Sequence, residues 1–268
     1  MPEGHVLHRL AAENLRAFGS RPVAVSSPQG RFAEGAKLVD GQVLEQAEAD
    51  GKHLFLGFAD AWLHIHLGLY GGFTFGAAPA PDPVGLIRLR LENQEHYADL
   101  RGPATCELLT PAEKDVVHAR LGPDPLRADA EPERAWDRIT RSRSTIAALL
   151  MDQKILAGVG NVYRAEVLFR HGIDPHRAGR DLARAEWELI WRDLVELMRE
   201  GAAIGRIDTV RPEHTPEAMG RPPRVDDHGG EVYVYRRTGQ ACLVCGTEVR
   251  TEQHAARNLF WCPNCQQR

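Results

Sequence analysis

The C-terminal part of the chain contains two cysteine pairs whose spacing matches a tetrahedral metal site. Two residues separate Cys242 from Cys245, sixteen residues follow, and Cys262 and Cys265 repeat the first spacing. Each pair forms a tight knuckle, and two knuckles supply four thiolates to one zinc ion. Four protein ligands leave no open position on the metal, so the pattern predicts one structural Zn²⁺ and argues against a zinc hydrolase. A hairpin of this size depends on the metal for its folding energy.

Composition narrows the class of protein. The 268 residues are 43% hydrophobic and 26% charged, which is typical of a globular protein of two domains. No apolar run is long enough to span a membrane, and no signal peptide is recognisable, so we expect a cytoplasmic protein with reduced cysteines. Cys106 lies in a strand pattern and is expected to be a small buried residue. The net charge of −4 does not favour an evenly basic surface.

One helix followed by short strands is predicted for the N-terminal half. Between Glu3 and Phe18 the apolar residues recur at helical spacing. From Val23 to Leu109 short alternating runs are separated by glycine, aspartate and proline, which indicates strands. The clearest strands are Gln42–Glu45, His53–Phe58, Trp62–Leu67 and Leu86–Leu91. Short strands at this spacing favour a β-sandwich, so residues 1–121 are expected to form a helix plus β-sandwich domain.

The boundary between the two halves has clear local signals. The segment Thr110–Glu113 matches a capping box with proline at the first helical position, and Gly122 is expected to end that helix. Residues 122–134 are rich in proline, aspartate and alanine, which predicts an interdomain linker.

Helical spacing dominates the second half. Residues 135–230 are expected to form a helical domain whose segment Trp187–Met198 carries a buried stripe. Residues 204–230 lack periodicity, which predicts a functional or disordered loop. Residues 231–268 would form the zinc module. The predicted fold class is α+β: an N-terminal helix and β-sandwich, then a C-terminal helical domain with a helix–two-turn–helix motif and a zinc-bound β-hairpin.

The chain starts with a sequence that is suited to covalent chemistry. Removal of Met1 would leave Pro2 with a free secondary amine, followed directly by the carboxylate of Glu3. A secondary amine that attacks a sugar aldehyde carbon gives an iminium ion, which is an electron sink. A free α-amine also titrates far below a lysine, so more of it is neutral at pH 7. Proline at position 2 also occurs without any catalytic role, and these residues alone leave both interpretations open.

A glycine turn in the second half suggests an anion site. A helix that contains Ile146 leads into Gly158-Val159-Gly160, and Asn161 is expected to cap the next helix. The amides at a helix N-terminus favour a phosphate. An ordinary helical hairpin fits these residues equally well.

Five motifs in this order resemble the formamidopyrimidine-DNA glycosylase / endonuclease VIII family of base-excision repair enzymes. The motifs are Pro2-Glu3-Gly4, Gly51-Lys52 in a hairpin, Leu67-Gly68-Leu69-Tyr70-Gly71, the turn from Gly158 to Tyr163 and the terminal zinc hairpin. The resemblance covers nearly the full length.

The resemblance implies catalytic roles for a few residues. Pro2 would attack C1′ of the damaged nucleotide and expel the base. Glu3 would act as general acid/base and protonate the sugar ring oxygen, and Lys52 would lie beside the reacting sugar and phosphate. The iminium would then allow β- and δ-elimination, which nicks the strand.

The resemblance also implies a set of DNA contacts. Asn161 and Arg257 would hold the phosphates that flank the extruded nucleotide, Arg257 as part of the catalytic site, and Lys154 would be a further phosphate contact. Chemistry at C1′ requires the nucleotide to leave the base stack. Leu69 and Tyr70, expected at a hairpin tip, would fill the gap.

Lesion preference depends on a few positions. Leu69-Tyr70 is similar to the endonuclease VIII branch, which favours oxidised pyrimidines. The purine branch usually has an Arg-x-Phe pair, whereas Arg101, a candidate DNA-binding residue, is followed by Gly102-Pro103. Two positions depart from the family patterns. Gly68 stands where the pyrimidine branch often has a polar wedge residue, and Val6 stands where a second acidic residue near the N-terminus is common.

The resemblance therefore implies a bifunctional DNA glycosylase and abasic-site lyase that acts on damaged DNA as a monomer and associates with the nucleoid. A purine-lesion glycosylase is one alternative. A damage-binding protein with weak catalysis is another, and retained Met1 would produce it by acylating Pro2.

Overall fold

The computed structural model describes residues 2–225 and 230–267, and the chain divides into two compact units, residues 1–120 and 121–268. The strands are β1 (Ala24–Ser26), β2 (Leu44–Asp50), β3 (His53–Phe58), β4 (Ala61–His66), β5 (Gly72–Ala77), β6 (Ile87–Glu92), β7 (His96–Arg101), β8 (Thr105–Leu109), β9 (Arg250–His254) and β10 (Arg257–Trp261). The helices are α1 (Gly4–Phe18), α2 (Ala33–Val39), α3 (Pro111–Ala119), α4 (Pro132–Ile139), α5 (Ile146–Leu149), α6 (Asn161–Arg170), α7 (Arg184–Ile204) and α8 (Pro216–Met219). In the described part of the chain, each helix is too short or too polar to cross a bilayer.

The first unit is the predicted β-sandwich. Two antiparallel four-stranded sheets have the strand orders β1-β6-β7-β5 and β2-β3-β4-β8. Apolar residues of both sheets, such as Leu56 and Leu100, belong to one buried core, and Leu7 and Leu10 of α1 join it. Successive residues of a strand point to opposite faces, so each sheet keeps a second face outside this core. The α+β class is confirmed.

The structure corrects several expected boundaries in this unit. Helix α1 begins at Gly4, with Glu3 as its N-cap residue. The capping box of Thr110 and Glu113 is confirmed, but α3 ends at Ala119 and Gly122 does not cap it. Helix α2 and four of the strands, β1, β5, β7 and β8, lie in the region for which only strands in general were predicted.

The second unit builds its core from helices and from the C-terminal hairpin together. Trp187 and Leu194 of α7 share one buried cluster with Leu259 and Phe260 of β10. Residues 122–134, expected as a linker, belong to this unit, and the Gly122 N–H donates to the Gln153 carbonyl at 2.9 Å. The hairpin therefore contributes apolar side chains to the helical core besides its metal site. The further division of the chain at residues 134 and 230 stays a prediction.

A buried carboxylate holds the two ends of the segment that was expected as a loop at 204–230. Residues 226–229 lie outside the described residues. Glu166 is fully buried and accepts hydrogen bonds from the backbone N–H groups of Tyr233, Val234 and Tyr235 at 2.7 to 2.9 Å. The Thr209 hydroxyl donates to the same carboxylate at 2.6 Å. Such a carboxylate fixes both ends of the segment to helix α6.

The outer face of the β2-β3-β4-β8 sheet carries a charged cluster under helix α3. The His118 ring nitrogen Nδ1 lies 2.6 Å from Asp50 Oδ2. Lys114 forms an ion pair with Glu48 and lies over the ring of Trp62. Hydrogen bonds to Asp50, then to Glu48, raise the pKa of His118 to about 9.

We expect the stability of the first unit to fall as the pH rises through 9. The folded pKa of His118 lies above the value near 6.5 of the unfolded chain, so its stabilisation is complete below about pH 6.5 and is lost above about pH 9. The loss should be about 2 kcal/mol after allowance for solvent screening. Urea unfolding at pH 6.5 and 9 measures it. His118→Gln should remove this pH dependence, and His96→Gln, at an exposed position, should keep it. An equal slope in His118→Gln would contradict the assignment.

Candidate functional site

Pro2 and Glu3 lie at the start of helix α1. Pro2 is half-buried, and Glu3 is fully buried with an extended backbone. The Glu3 carbonyl accepts the Val6 N–H at 3.0 Å, which starts the helix. The apolar stripe of helix α1 packs in the core. The segment that carries Pro2 and Glu3 is therefore held in a fixed position on the domain. A buried carboxylate next to a secondary amine can transfer a proton while the amine forms a covalent bond. Met1 lies outside the described residues.

Lys52 lies in a two-residue hairpin turn, as the resemblance implied. Asp50 and His53 pair across strands β2 and β3, so Gly51 and Lys52 form the turn. Gly51 has φ +59°, which favours glycine over other residues. His66, the last residue of β4, pairs with His53, and both histidines therefore lie at the Lys52 end of the sheet. Alternation within each strand does not show that these two histidines lie beside Lys52, because their pairing depends on the register of β3 and β4.

Leu69 and Tyr70 lie in a turn that joins the two sheets, so the prediction of a hairpin tip is wrong. Strand β4 before the turn and strand β5 after it belong to different sheets. Tyr70 is 91% exposed and Leu69 is 46% exposed, which leaves both side chains available to a partner. A Cβ on Gly102 would lie 3.4 Å from the Tyr70 carbonyl oxygen, so Tyr70 adjoins the end of β7.

Arg101 is the last residue of β7 and lies beside this turn. Strand β5 pairs Gly72 with Arg101. The Arg101 guanidinium lies 3.1 Å from Asp99 Oδ2 and remains partly exposed. The structure thus brings together three of the predicted DNA-binding residues, Leu69, Tyr70 and Arg101, at one end of a sheet.

The glycine turn is present, but Asn161 does not cap the helix that follows it. Gly160 is the N-cap residue of α6 and Asn161 is the first helical residue. The Asn161 side-chain amide donates instead to the Asn258 carbonyl at 2.9 Å, and its oxygen accepts from Arg164. The Asn161 side chain therefore stabilises the β9-β10 hairpin rather than the start of helix α6. The expected side-chain cap was wrong because this long-range contact uses its polar atoms.

Arg257 is the first residue of β10, at the tip of the zinc hairpin. Ala255 and Ala256 form the tip with positive φ angles, and Asn258 follows Arg257. The Arg164 guanidinium, buried and on α6, donates to the same Asn258 carbonyl at 3.1 Å. Two side chains of helix α6 thus hold the backbone next to Arg257, which brings Asn161 and Arg257 into one neighbourhood.

Lys154 is exposed in the turn before Gly158. Its N–H donates to Asp152 Oδ1 at 2.9 Å, and its carbonyl accepts from Arg138. The Gln153 side chain donates to the Val159 carbonyl at 2.9 Å and accepts the Gly158 N–H at 3.0 Å. Gln153, which the sequence analysis did not single out, therefore fixes the shape of the glycine turn.

The four cysteines predicted to bind zinc lie together. Cys242 Sγ is 3.9 Å from Cys265 Sγ, Cys245 Sγ is 3.5 Å from Cys262 Sγ, and all four sulfurs lie within 4.8 Å of one another. A tetrahedral zinc with bonds of about 2.3 Å separates its sulfurs by about 3.8 Å, so the residues fit one Zn²⁺. Among the described residues this is the one group of such side chains close enough to hold a metal. Cys106 lies apart on β8, and burial raises the pKa of its thiol to about 12.

Three family models match most of the chain. The model of the formamidopyrimidine-DNA glycosylase N-terminal domain matches residues 1–106. The model of the formamidopyrimidine-DNA glycosylase H2TH domain matches residues 121–211. The zinc finger found in FPG and IleRS matches residues 239–268. The cysteine cluster and this third match agree on a zinc finger.

Known proteins resemble the whole chain. Endonuclease 8 1 of Mycobacterium tuberculosis (strain ATCC 25618 / H37Rv) is 53% identical, over 99% of this chain and 100% of the relative. Formamidopyrimidine-DNA glycosylase of Salmonella paratyphi C is 32% identical, over 86% of this chain and 84% of the relative. The solved complex between Lactococcus lactis Fpg and an abasic site containing DNA has a TM-score of 0.79 at 23% identity, over 99% of this chain and 100% of that chain. The chain belongs to the formamidopyrimidine-DNA glycosylase / endonuclease VIII family of DNA glycosylases.

Proposed function

We propose that the protein is a bifunctional DNA glycosylase and abasic-site lyase that removes oxidised pyrimidines and nicks the strand by β,δ-elimination. The observation that carries the proposal is the pairing of half-buried Pro2 with fully buried Glu3 at the start of α1. The 53% identity with an enzyme named Endonuclease 8 1 supports the pyrimidine assignment.

In the proposed reaction Pro2, freed of Met1, supplies the nucleophile. Its nitrogen bonds to C1′, the bond from C1′ to the base breaks, and the base leaves with a proton. Glu3 donates a proton to the sugar ring oxygen, and the ring opens to an iminium ion. Loss of a C2′ proton then expels the 3′ phosphate, and a second elimination expels the 5′ phosphate. A general acid or base of this kind contributes about 10²- to 10⁴-fold.

Damaged DNA is the proposed partner, and the remaining site residues would bind it. Lys52, Lys154, Asn161 and Arg257 are assigned to phosphates. Support comes from the contacts of Asn161 and Arg164 with Asn258, which fix the backbone beside Arg257. The solved Lactococcus lactis Fpg complexes contain DNA with an abasic site or an oxidised pyrimidine.

Leu69 and Tyr70 are proposed to fill the gap that an extruded nucleotide leaves. Their exposure in a turn beside Arg101 supports this role. Exposed apolar side chains that lie together can be buried by a binding partner. All candidate residues belong to one chain, and we propose that a monomer acts in the cytoplasm, on the nucleoid.

A purine-lesion glycosylase is the second candidate, because relatives named formamidopyrimidine-DNA glycosylase are 31–32% identical to this chain. Pro103 argues against this candidate. The Arg-x-Phe pair of the purine branch would require phenylalanine two residues after Arg101, where this chain has proline.

A lesion panel separates the two candidates. We expect duplexes with thymine glycol or dihydrouracil to be cleaved at least about tenfold faster than duplexes with 8-oxoguanine, which corresponds to about 1.4 kcal/mol of transition-state preference. An abasic-site duplex measures the lyase step alone, and an undamaged duplex is the control. Faster cleavage of 8-oxoguanine would favour the purine candidate, and binding without cleavage of any duplex by a chain that lacks Met1 would contradict both.

A further inference from the structure

A histidine between helices α6 and α7 joins the β9-β10 hairpin to the helical part of the second unit, and the reaction proposed above does not use it. His176 Nδ1 lies 2.9 Å from Asp174 Oδ1, and His176 Nε2 lies 2.7 Å from Glu252 Oε1 of strand β9. These three residues form the His176 bridge. The edge of one ring also meets the face of the other between His176 and Trp261 of β10, with centroids 5.1 Å apart and planes at 83°. Both strands of the hairpin therefore contact one imidazole.

The segment that carries His176 has a fixed backbone. The Ile146 N–H, at the start of helix α5, donates to the Arg177 carbonyl at 2.8 Å. The first amides of a helix have no acceptor within it, so this contact satisfies one of them. Asp174 Oδ1 also accepts the backbone N–H of His176 at 3.0 Å, which fixes the carboxylate as well. The His176 side chain therefore joins the hairpin to a segment that is itself held in place.

Both ring nitrogens of His176 carry a proton in this arrangement. A carboxylate accepts hydrogen bonds, whereas a neutral imidazole has one N–H and one bare nitrogen. A neutral ring would direct a lone pair at one of the two carboxylates. Burial lowers the pKa of His176, but the hydrogen bonds to Glu252 and Asp174 outweigh burial, and the pKa lies above its ordinary value of 6.5. The geometry and this direction both indicate an imidazolium at pH 6.5.

The strand that the His176 bridge holds is the partner of the strand that carries Arg257. Glu252 and His254 both lie on β9, and the hairpin register pairs His254 with Arg257. Strand β10 is held separately, by the contacts of helix α6 with the Asn258 carbonyl. The position of Arg257 thus depends on one set of contacts for each strand, and the set on β9 includes a group that titrates near neutral pH.

We propose that protonated His176 holds strand β9 against the helical part of the second unit and so positions Arg257 for a phosphate of DNA. This proposal rests on the proposed function, which assigns Arg257 to a phosphate. His176 acts through the hairpin and is a positioning residue. When the ring gives one proton to solvent, one N–H bond to a carboxylate is lost and a lone pair faces that carboxylate instead. Strand β9 then loses its attachment, and binding of DNA at Arg257 weakens.

The charged groups around His176 determine the pH range. Asp174 acts from the same segment and Glu252 from β9, and the ring that meets His176 from β10 is uncharged. The ring centroid of His254 on β9 is 6.2 Å from that of His176. Burial, then the charge of Arg164 on α6, lowers the pKa of His254, so this ring is neutral while His176 is charged. The His176 bridge is therefore complete below about pH 6.5 and is lost as the pH rises through the higher folded pKa of His176.

Two titrations of the zinc-loaded protein test this proposal. Proton NMR of the histidine ring hydrogens, with His176→Gln to assign the signal, should give a pKa for His176 above 6.5. Affinity for a tetrahydrofuran abasic duplex should fall by about tenfold between about pH 6.5 and 9 in the native chain, the equivalent of one hydrogen bond to a charged group. His176→Gln should bind more weakly than the native chain at pH 6.5 and show a flatter profile. Native mass spectrometry checks that zinc stays bound at each pH.

Two glutamates of the zinc finger provide a matched pair of variants. Glu252→Gln keeps the shape of the side chain and an acceptor oxygen but removes the charge. The pKa of His176 and the fall in affinity should therefore both shift to lower pH by about one unit or more. Glu248→Gln removes an equal charge at an exposed position just before β9 and should keep the native profile.

The outcomes separate this proposal from the proposed function. A pKa of His176 at or below 6.5 would overturn it. Equal pH profiles of DNA affinity in the native chain, His176→Gln and Glu252→Gln would overturn it as well. Either result would leave the proposed function standing if the native chain still prefers the tetrahydrofuran duplex over undamaged DNA. Loss of that preference at every pH would overturn the proposed function itself, and the NMR titration, which needs no DNA, would still decide the protonation of His176.

Discussion

Replacement of Pro2 by glycine should reduce the covalent trapping of an abasic-site duplex under borohydride by at least about 100-fold. Glycine keeps a free terminal amine and a small residue at position 2, so removal of Met1 is preserved. A primary amine forms a neutral imine that needs a further proton, whereas proline forms the charged iminium directly. The amine also loses the ring that fixes its direction at the start of α1. Strand nicking should fall with trapping, because both pass through the same intermediate.

Intact mass must accompany this measurement, since retained Met1 acylates the proline nitrogen. Native protein that keeps Met1 should bind the duplex but give no adduct, which makes it a matched control for the nucleophile. Glu3→Gln tests the neighbouring carboxylate separately, and base release should fall because the ring oxygen loses its proton donor. Equal trapping by Pro2→Gly and the native chain would show that the secondary amine of proline is not required.

Features that depend on neighbouring residues could be predicted from the sequence. The Gly51-Lys52 hairpin was expected from a motif of two adjacent residues, and the structure places these residues between β2 and β3. The capping box at Thr110 needs only a hydroxyl and a glutamate three residues apart. The spacing of the cysteine pairs is sufficient to predict a metal site. Each of these signals is local, so long-range packing does not override it.

Features set by contacts between distant residues could not be predicted. Asparagine is a preferred residue type at helix N-caps, but the Asn161 side chain donates a hydrogen bond to the carbonyl of Asn258, nearly a hundred residues away. The turn at Leu69 and Tyr70 has the glycines of a hairpin, yet the strands on either side enter different sheets. Hydrogen bonds join Glu107 of β8 to His64 of β4 and join His64 to His53 of β3. These contacts depend on the register of three strands, which alternation within one strand does not specify.

Removal of the zinc should weaken binding of abasic-site DNA by about 100-fold, the equivalent of two hydrogen bonds to a charged partner. The variant Cys245→Ser removes one of the four ligands, and structural zinc sites supply the folding energy of small hairpins. Without the metal, strands β9 and β10 lose the restraint that holds Arg257 and Asn258 beside helix α6. Metal content by native mass spectrometry and affinity for a tetrahydrofuran duplex measure the two parts of the effect.

The helical part of the second unit should survive this loss in part, because Trp187 and Leu194 pack within the helices themselves. Leu259 and Phe260 of the hairpin also belong to that core, so the thermal midpoint should fall as well. Cys106→Ser is the matched control, since Cys106 lies on β8 outside the cluster and should leave metal content and affinity unchanged. If Cys245→Ser bound DNA as tightly as Cys106→Ser while lacking zinc, the hairpin would not position Arg257 for a phosphate, and that assignment would have to be abandoned.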